Sequence, residues 1–78
     1  MIMRLYSLKD RLNGYTPPIP FAMDEVAQRW FKEMMSENTT VKLSPDDFSL
    51  WYMGEFNTDT GELTDNENRK EVVYNGEI

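Results

Sequence analysis

The sequence contains no cysteine and no histidine. Without cysteine, a disulfide framework, a thiolate metal site and a redox pair are all excluded. Without histidine, the commonest metal ligand and the usual general base near neutral pH are missing too. Basic residues are scarce: eight Lys and Arg stand against fourteen Asp and Glu, a net charge of -6. Phosphate backbones are held by Lys and Arg that displace counterions, so such a chain makes a poor generic nucleic-acid binder. No apolar run approaches membrane-spanning length, and Met1-Ile2-Met3-Arg4 leads straight into strand-like sequence with no signal-peptide pattern. A soluble, intracellular protein with no membrane partner is expected. There is also no Gly-rich phosphate loop and no nucleophile elbow. These absences argue against an enzyme, and no catalytic, cofactor-binding or metal-binding residue is expected.

What is present amounts to one small domain over residues 1–78, with 65–78 expected to be partly flexible. Its best-specified stretch runs from Asp46 to Gly61. Phe48, Leu50, Tyr52 and Phe56 fall on one face at period two, and Trp51 and Met53 on the other. A strand apolar on both faces is expected to be central, with cover on each side and Trp51 largely buried. Asn57-Thr58-Asp59-Thr60-Gly61 then supplies hairpin-turn chemistry. Ile2 to Leu8 reads as a first strand, closed by a turn at Asn13-Gly14. Tyr15 to Phe21 holds three prolines and must be extended, an arm laying Ile19 and Phe21 on the core. Asp24 to about Glu37 is the one clear helix, with Val26, Ala27, Trp30, Phe31 and Met34 as its apolar stripe, which Met23 extends upstream. Trp30 is expected to be largely buried. A short edge segment at 41–43, a helix start at Ser44-Pro45 and a return strand through Glu71-Val72-Val73-Tyr74 complete the expectation, with 75–78 fraying. The fold class is α+β: a three- to four-stranded, mainly antiparallel sheet with one helix on one face.

Several constellations have a bland and a sharper reading. Asn57, Asp59, Gly61 and Asp65 suggest a calcium loop, but Gly and Glu fall at the wrong positions for an EF-hand, so turn chemistry is preferred. Asp46 and Asp47 lack any partner for acid–base work and suit a helix start. Arg4, Tyr6, Lys9, Arg11 and Tyr15 mix cations with aromatics, the ingredients of a platform for single-stranded nucleic acid. Arg29 and Lys32, on the outer face of the helix, can join them. The charge distribution restricts any such contact to this half: residues 1–44 carry six basic and five acidic groups, and residues 45–78 two against nine. One helix covers one face of a sheet, so the second face needs either the proline arm or another copy of the chain. Closed two-fold pairing is the commonest solution, so a homodimer is expected.

Tyr6-Ser7 with Asp10, the proline arm ending near Phe21, and Ala27 with Arg29 and Phe31 form one half of an ordered motif set. Asp47-Phe48, Leu50, Gly54, Phe56 and Thr60-Gly61 form the other. Over roughly residues 4–63 this set resembles the small nonstructural protein of the Microviridae, the single-stranded-DNA phages, in its gokushovirus branch. Asn57 departs from the Asp more usual there, and beyond about residue 64 the resemblance lapses. It implies a protein of the infected bacterial cytoplasm that acts around viral DNA replication, or the switch to making and packaging single strands. Its implied partners are single-stranded DNA or a phage or host replication protein. The alternative is a protein–protein interaction module that makes no nucleic-acid contact.

Overall fold

The computed structural model describes residues 1–37 and 47–74. The elements are β1 (Ile2–Asp10), β2 (Gly14–Tyr15), β3 (Ile19–Phe21), α1 (Asp24–Glu37), β4 (Phe48–Asn57), β5 (Leu63–Thr64), a 3-10 turn (Asn66–Asn68) and β6 (Lys70–Tyr74). The segments expected at 41–43 and 44–46 and the fraying end at 75–78 lie outside the described residues. The expected helix is found between the expected bounds. Among the described residues the sheet is antiparallel throughout and holds six strands. That is more than the three or four expected, because the first turn and the proline arm also pair with β1.

β1 and β4 form the spine, paired from Ile2↔Asn57 to Asp10↔Phe48. The free side of β1 takes β2 and β3, and that of β4 takes β5 and β6. The proline arm is an edge strand, where a residue with no N–H is tolerated. It pairs Ile19 with Tyr6 and Phe21 with Arg4. The chain reverses after β4 on Asn57, whose Oδ1 accepts the Asp59 and Thr60 amides at 2.8 and 3.3 Å. Gly61, at φ 80°, closes the turn by donating to the Asn57 carbonyl at 2.8 Å. The amide side chain does here what an Asp would do, so the departure at Asn57 is conservative.

The core lies between α1 and one face of the spine. Tyr6, Leu8, Leu50 and Tyr52 meet Ala27, Phe31 and Met35, with Phe21, Trp30, Met34, Phe48 and Val72 packed around them. Tyr6 lies 5.9 Å from both the Phe21 and the Tyr52 ring centroids. The buried line of α1 is the i, i+4 series Ala27, Phe31, Met35. This is rotated from the expected stripe: Met23 and Val26 are exposed and Met35 is buried. Both tryptophans are largely but not fully buried, Trp30 at the margin of the core and Trp51 on the opposite face.

The two faces of β4 are not those of uniform period two. Leu5 pairs with Gly54 but Tyr6 with Tyr52, which leaves Met53 unopposed in a β-bulge. Directly opposed residues share a face. Leu50 and Tyr52 therefore face the helix with Leu8 and Tyr6, whereas Phe56 stands opposite Met3 on the other side. The sequence places Phe56 with Leu50 and Tyr52; the bulge moves it across. Met3, Leu5, Trp51, Met53 and Phe56 thus make a second apolar face, all of them half-buried. Among the described residues no helix or strand covers it. The proline arm extends the sheet sideways instead.

Candidate nucleic-acid interface

The seven cationic and aromatic residues singled out from the sequence separate into three places. Arg4 and Tyr6 alternate on β1 and point to the helix side. Arg4 Nε donates to the Tyr6 hydroxyl oxygen at 2.9 Å and to Asp24 Oδ1 at 3.1 Å, and the Tyr6 hydroxyl donates to the same carboxylate oxygen. The Arg4 guanidinium also lies 4.2 Å from the Tyr52 ring centroid. Burial, with the hydrogen bond to Asp24, pushes the Tyr6 hydroxyl up to about 12. The bond from Tyr6 holds the Asp24 carboxyl below its usual range, and the bond that Arg4 donates to Tyr6 raises Arg4. This is a tether from β1 to the first turn of α1. Tyr6 is fully buried and presents no ring to a base, which corrects its assignment as a stacking residue. Arg29 and Lys32 occupy a second place, the outer side of α1. There they line an open hollow of about 500 Å³ with Glu33, Met35 and Ser36.

The third place, on the sheet face away from the helix, brings Lys9, Arg11 and Tyr15 together. Lys9 stands opposite Tyr15 on β2 and opposite Ser49 on β4. Its ammonium lies 5.6 Å from the Tyr15 ring centroid and 5.3 Å from that of Trp51. The two rings meet edge to face at 5.8 Å and 86°. Trp51 Nε1 donates to Ser49 Oγ at 2.9 Å, which fixes the plane of the indole. Ser7, directly opposite Trp51, is fully buried, and its small side chain leaves room for the ring. Arg11 reaches back over the same end to Asp47 Oδ1 at 2.8 Å, and that bond raises its pKa.

Trp51 was not singled out as a site residue, because its aromatic, strand-centred setting reads as core. The signal that could have found it was its phase, opposite to Leu50 and Tyr52. Two hollows share it. One, of about 240 Å³, is lined by Tyr15, Trp51, Met53, Glu67 and Arg69. The other, of about 170 Å³, runs from Lys9, Arg11 and Asp47 past Trp51 to Glu71. The chemistry on offer is an aromatic surface with cations over and beside it, suited to an unpaired base and a nearby phosphate. Three carboxylates, Asp47, Glu67 and Glu71, lie among the cations, so the electrostatic attraction is modest. Among the described residues no cluster of side chains could hold a metal ion. Nor is any described helix long and apolar enough to cross a membrane.

No curated protein and no solved structure matches the chain. One family profile does, over residues 3–77, continuing past the point near residue 64 where the motif resemblance stops. It takes in the helix tether, the bulge and the Lys9–Tyr15–Trp51 face alike, and by it the chain belongs to the family described as Phage ORF5 protein.

Proposed function

We propose that this phage protein is a non-enzymatic, nonstructural accessory factor of a Microviridae phage of the gokushovirus type. It works in the cytoplasm of the infected bacterium, in viral DNA replication or in the switch to single-strand synthesis and packaging. It does so by weak contact with single-stranded DNA through Lys9, Arg11, Tyr15 and Trp51. The family membership and the motif set support the phage setting. The observation that carries the DNA contact is the Lys9 ammonium, within 6 Å of two exposed or half-exposed rings set edge to face. Such a surface favours unpaired bases, whose faces are free to stack, over duplex.

With only Lys9 and Arg11 engaged, affinity should fall several-fold, about five- to tenfold, between about 50 and 200 mM salt. Fluorescence anisotropy of a labelled single strand tests this. Lys9→Ala with Arg11→Ala should abolish binding, and Trp51→Ala should weaken it about tenfold. Arg29→Ala with Lys32→Ala should change little, because those side chains lie on the helix side. No anisotropy change with wild-type protein at low salt would dismiss the DNA contact.

A second reading has its own observation, the apolar run of Met3, Leu5, Phe56 and Leu63 at the other end of the same face. There the chain docks a phage or host replication protein, or a second copy of itself as a homodimer. The two ends lie a strand's length apart, so both contacts can coexist.

A further inference from the structure

We infer that the hollow between Tyr15, Trp51, Met53, Glu67 and Arg69 is a subsite for one unpaired guanine base. This inference rests on the single-strand reading above and adds a base preference to it. At about 240 Å³ the hollow is smaller than a typical drug-sized pocket and suits one planar heterocycle. The apolar part of its lining is the Trp51 indole, held in plane by Ser49, and the Met53 side chain. Tyr15 stands along one side, its ring set edge-on to the indole.

The rest of the lining, Glu67 and Arg69, is polar, and the fold anchors the turn that carries it. The turn at 65–69 wraps the outer edge of β4, and its first residue, Asp65, is anchored twice. Its carboxylate accepts the buried Tyr52 hydroxyl and the Asn68 side-chain amide. Its carbonyl accepts the Asn68 backbone N–H at 3.1 Å. Glu67 and Arg69 project from that anchored turn into the hollow. Among the described residues, neither takes part in the ion pairs of the fold.

The polar part of the lining therefore presents a carboxylate and a guanidinium within reach of one bound base. A carboxylate offers two acceptors and no donor. Guanine alone among the bases places two donors side by side on its Watson–Crick edge, N1–H and the N2 amino group. Adenine and cytosine each set one amino group beside a ring nitrogen whose lone pair would face the carboxylate. Thymine flanks its single N–H with carbonyl oxygens. The guanidinium of Arg69 complements the guanine O6 and N7 acceptors. Stacking on Trp51 supplies affinity that any base can use, and Glu67 with Arg69 supplies the choice.

The test compares wild-type protein on oligothymidine of about ten nucleotides with the same strand carrying one central guanine, at about 50 mM salt. The guanine strand should bind about tenfold tighter. Glu67→Gln, a conservative change on an exposed turn, should bring the ratio of the two affinities close to one, with an unchanged circular dichroism spectrum. The ribonucleotide versions of both strands, run alongside, should show the same guanine ratio, and the tighter of the two guanine strands names the nucleic acid that uses the site. Equal affinity of wild-type protein for the two DNA strands would overturn the guanine subsite while leaving single-strand binding in place. A guanine preference that survives in Glu67→Gln would overturn the role given to the carboxylate. Failure to bind any strand would overturn the subsite together with the DNA contact it rests on.

Discussion

Gly54 shows how much can hang on one missing side chain. It sits at φ 140°, in the region that only glycine enters without strain. A β-carbon there would also come within 2.7 Å of the Thr64 carbonyl oxygen and 3.4 Å of the Asn66 backbone. The glycine lets the bulge form and lets the turn at 65–69 cross close to β4. Gly54→Ala should therefore cost about 2–4 kcal/mol, read as a lowered urea midpoint. The Arg4–Tyr6–Asp24 tether makes a second prediction at this scale. A tyrosine ordinarily ionises near 10.0, and Tyr6 does so only at about 12. The folded state thus holds this proton more tightly than the unfolded chain. Its contribution is complete below pH 10 and lost as pH rises towards 12. Asp24 has the opposite sign: its contribution is present above the ordinary 3.8 and lost as pH falls through its depressed value. Urea midpoints measured from neutral to alkaline pH should fall above pH 10, and Tyr6→Phe should lessen that slope. Tyr52, also raised, supplies the remainder.

At the scale of elements, β4 is a strand of two halves. Before the bulge its even-numbered residues face the helix; beyond it, Phe56 faces the other way. The bulge thereby adds Phe56 to the face that Trp51 already occupies. The helix packs on one face through Ala27, Phe31 and Met35, whose close fit fixes the rotation of α1. Substitutions should separate the two faces. Phe31→Ala, in the closed core, should cost about 3–5 kcal/mol, most of the stability of so small a domain. Trp51→Ala, on the face away from the helix, should cost less, because the ring is not fully withdrawn from water. Thermal unfolding followed by circular dichroism compares the two directly, and equal losses would contradict the assignment of Trp51 to a less buried face.

At the scale of the whole molecule, the helix covers one face of the sheet, and among the described residues the other face carries the partly exposed Met3, Leu5, Trp51, Met53 and Phe56. Leu63, 69% exposed, stands opposite Phe56 at the end of that second face away from Lys9. An apolar patch of this kind drives association when nothing else covers it. Sedimentation at tens of micromolar protein should show the mass of two chains, and Leu63→Glu should return it to one while leaving the fold intact. A mass of one chain for the wild type would reserve the patch for a different protein. Charge differs along the face. The Lys9 end carries the clustered cations, whereas the ammonium of Met1 at the other end is already paired with Asp59 at 2.8 Å.

The sequence alone determined whatever depends on local chemistry. The helix bounds follow from the acidic start at Asp24 and Glu25 and the 3.6-residue periodicity. The turn at Asn57–Gly61 follows from side chains that bond their own backbone, and the extended arm from the fixed φ of its prolines. The lack of cysteine and histidine was equally plain, as was the phage motif set. The tertiary structure decided what depends on register. Whether Phe56 faces the helix turns on one unopposed residue, Met53, and a bulge leaves no mark on composition. Arg4 and Lys9 look alike in the sequence, yet Arg4 is taken up by Asp24 from a helix some twenty residues away, and Lys9 is left over two rings. Trp51 read as core because apolar residues usually are buried. It became the centre of the candidate site because a single helix spans only one face of a sheet, and the side a strand residue takes is set by its pairing with distant strands, not by its neighbours in the chain.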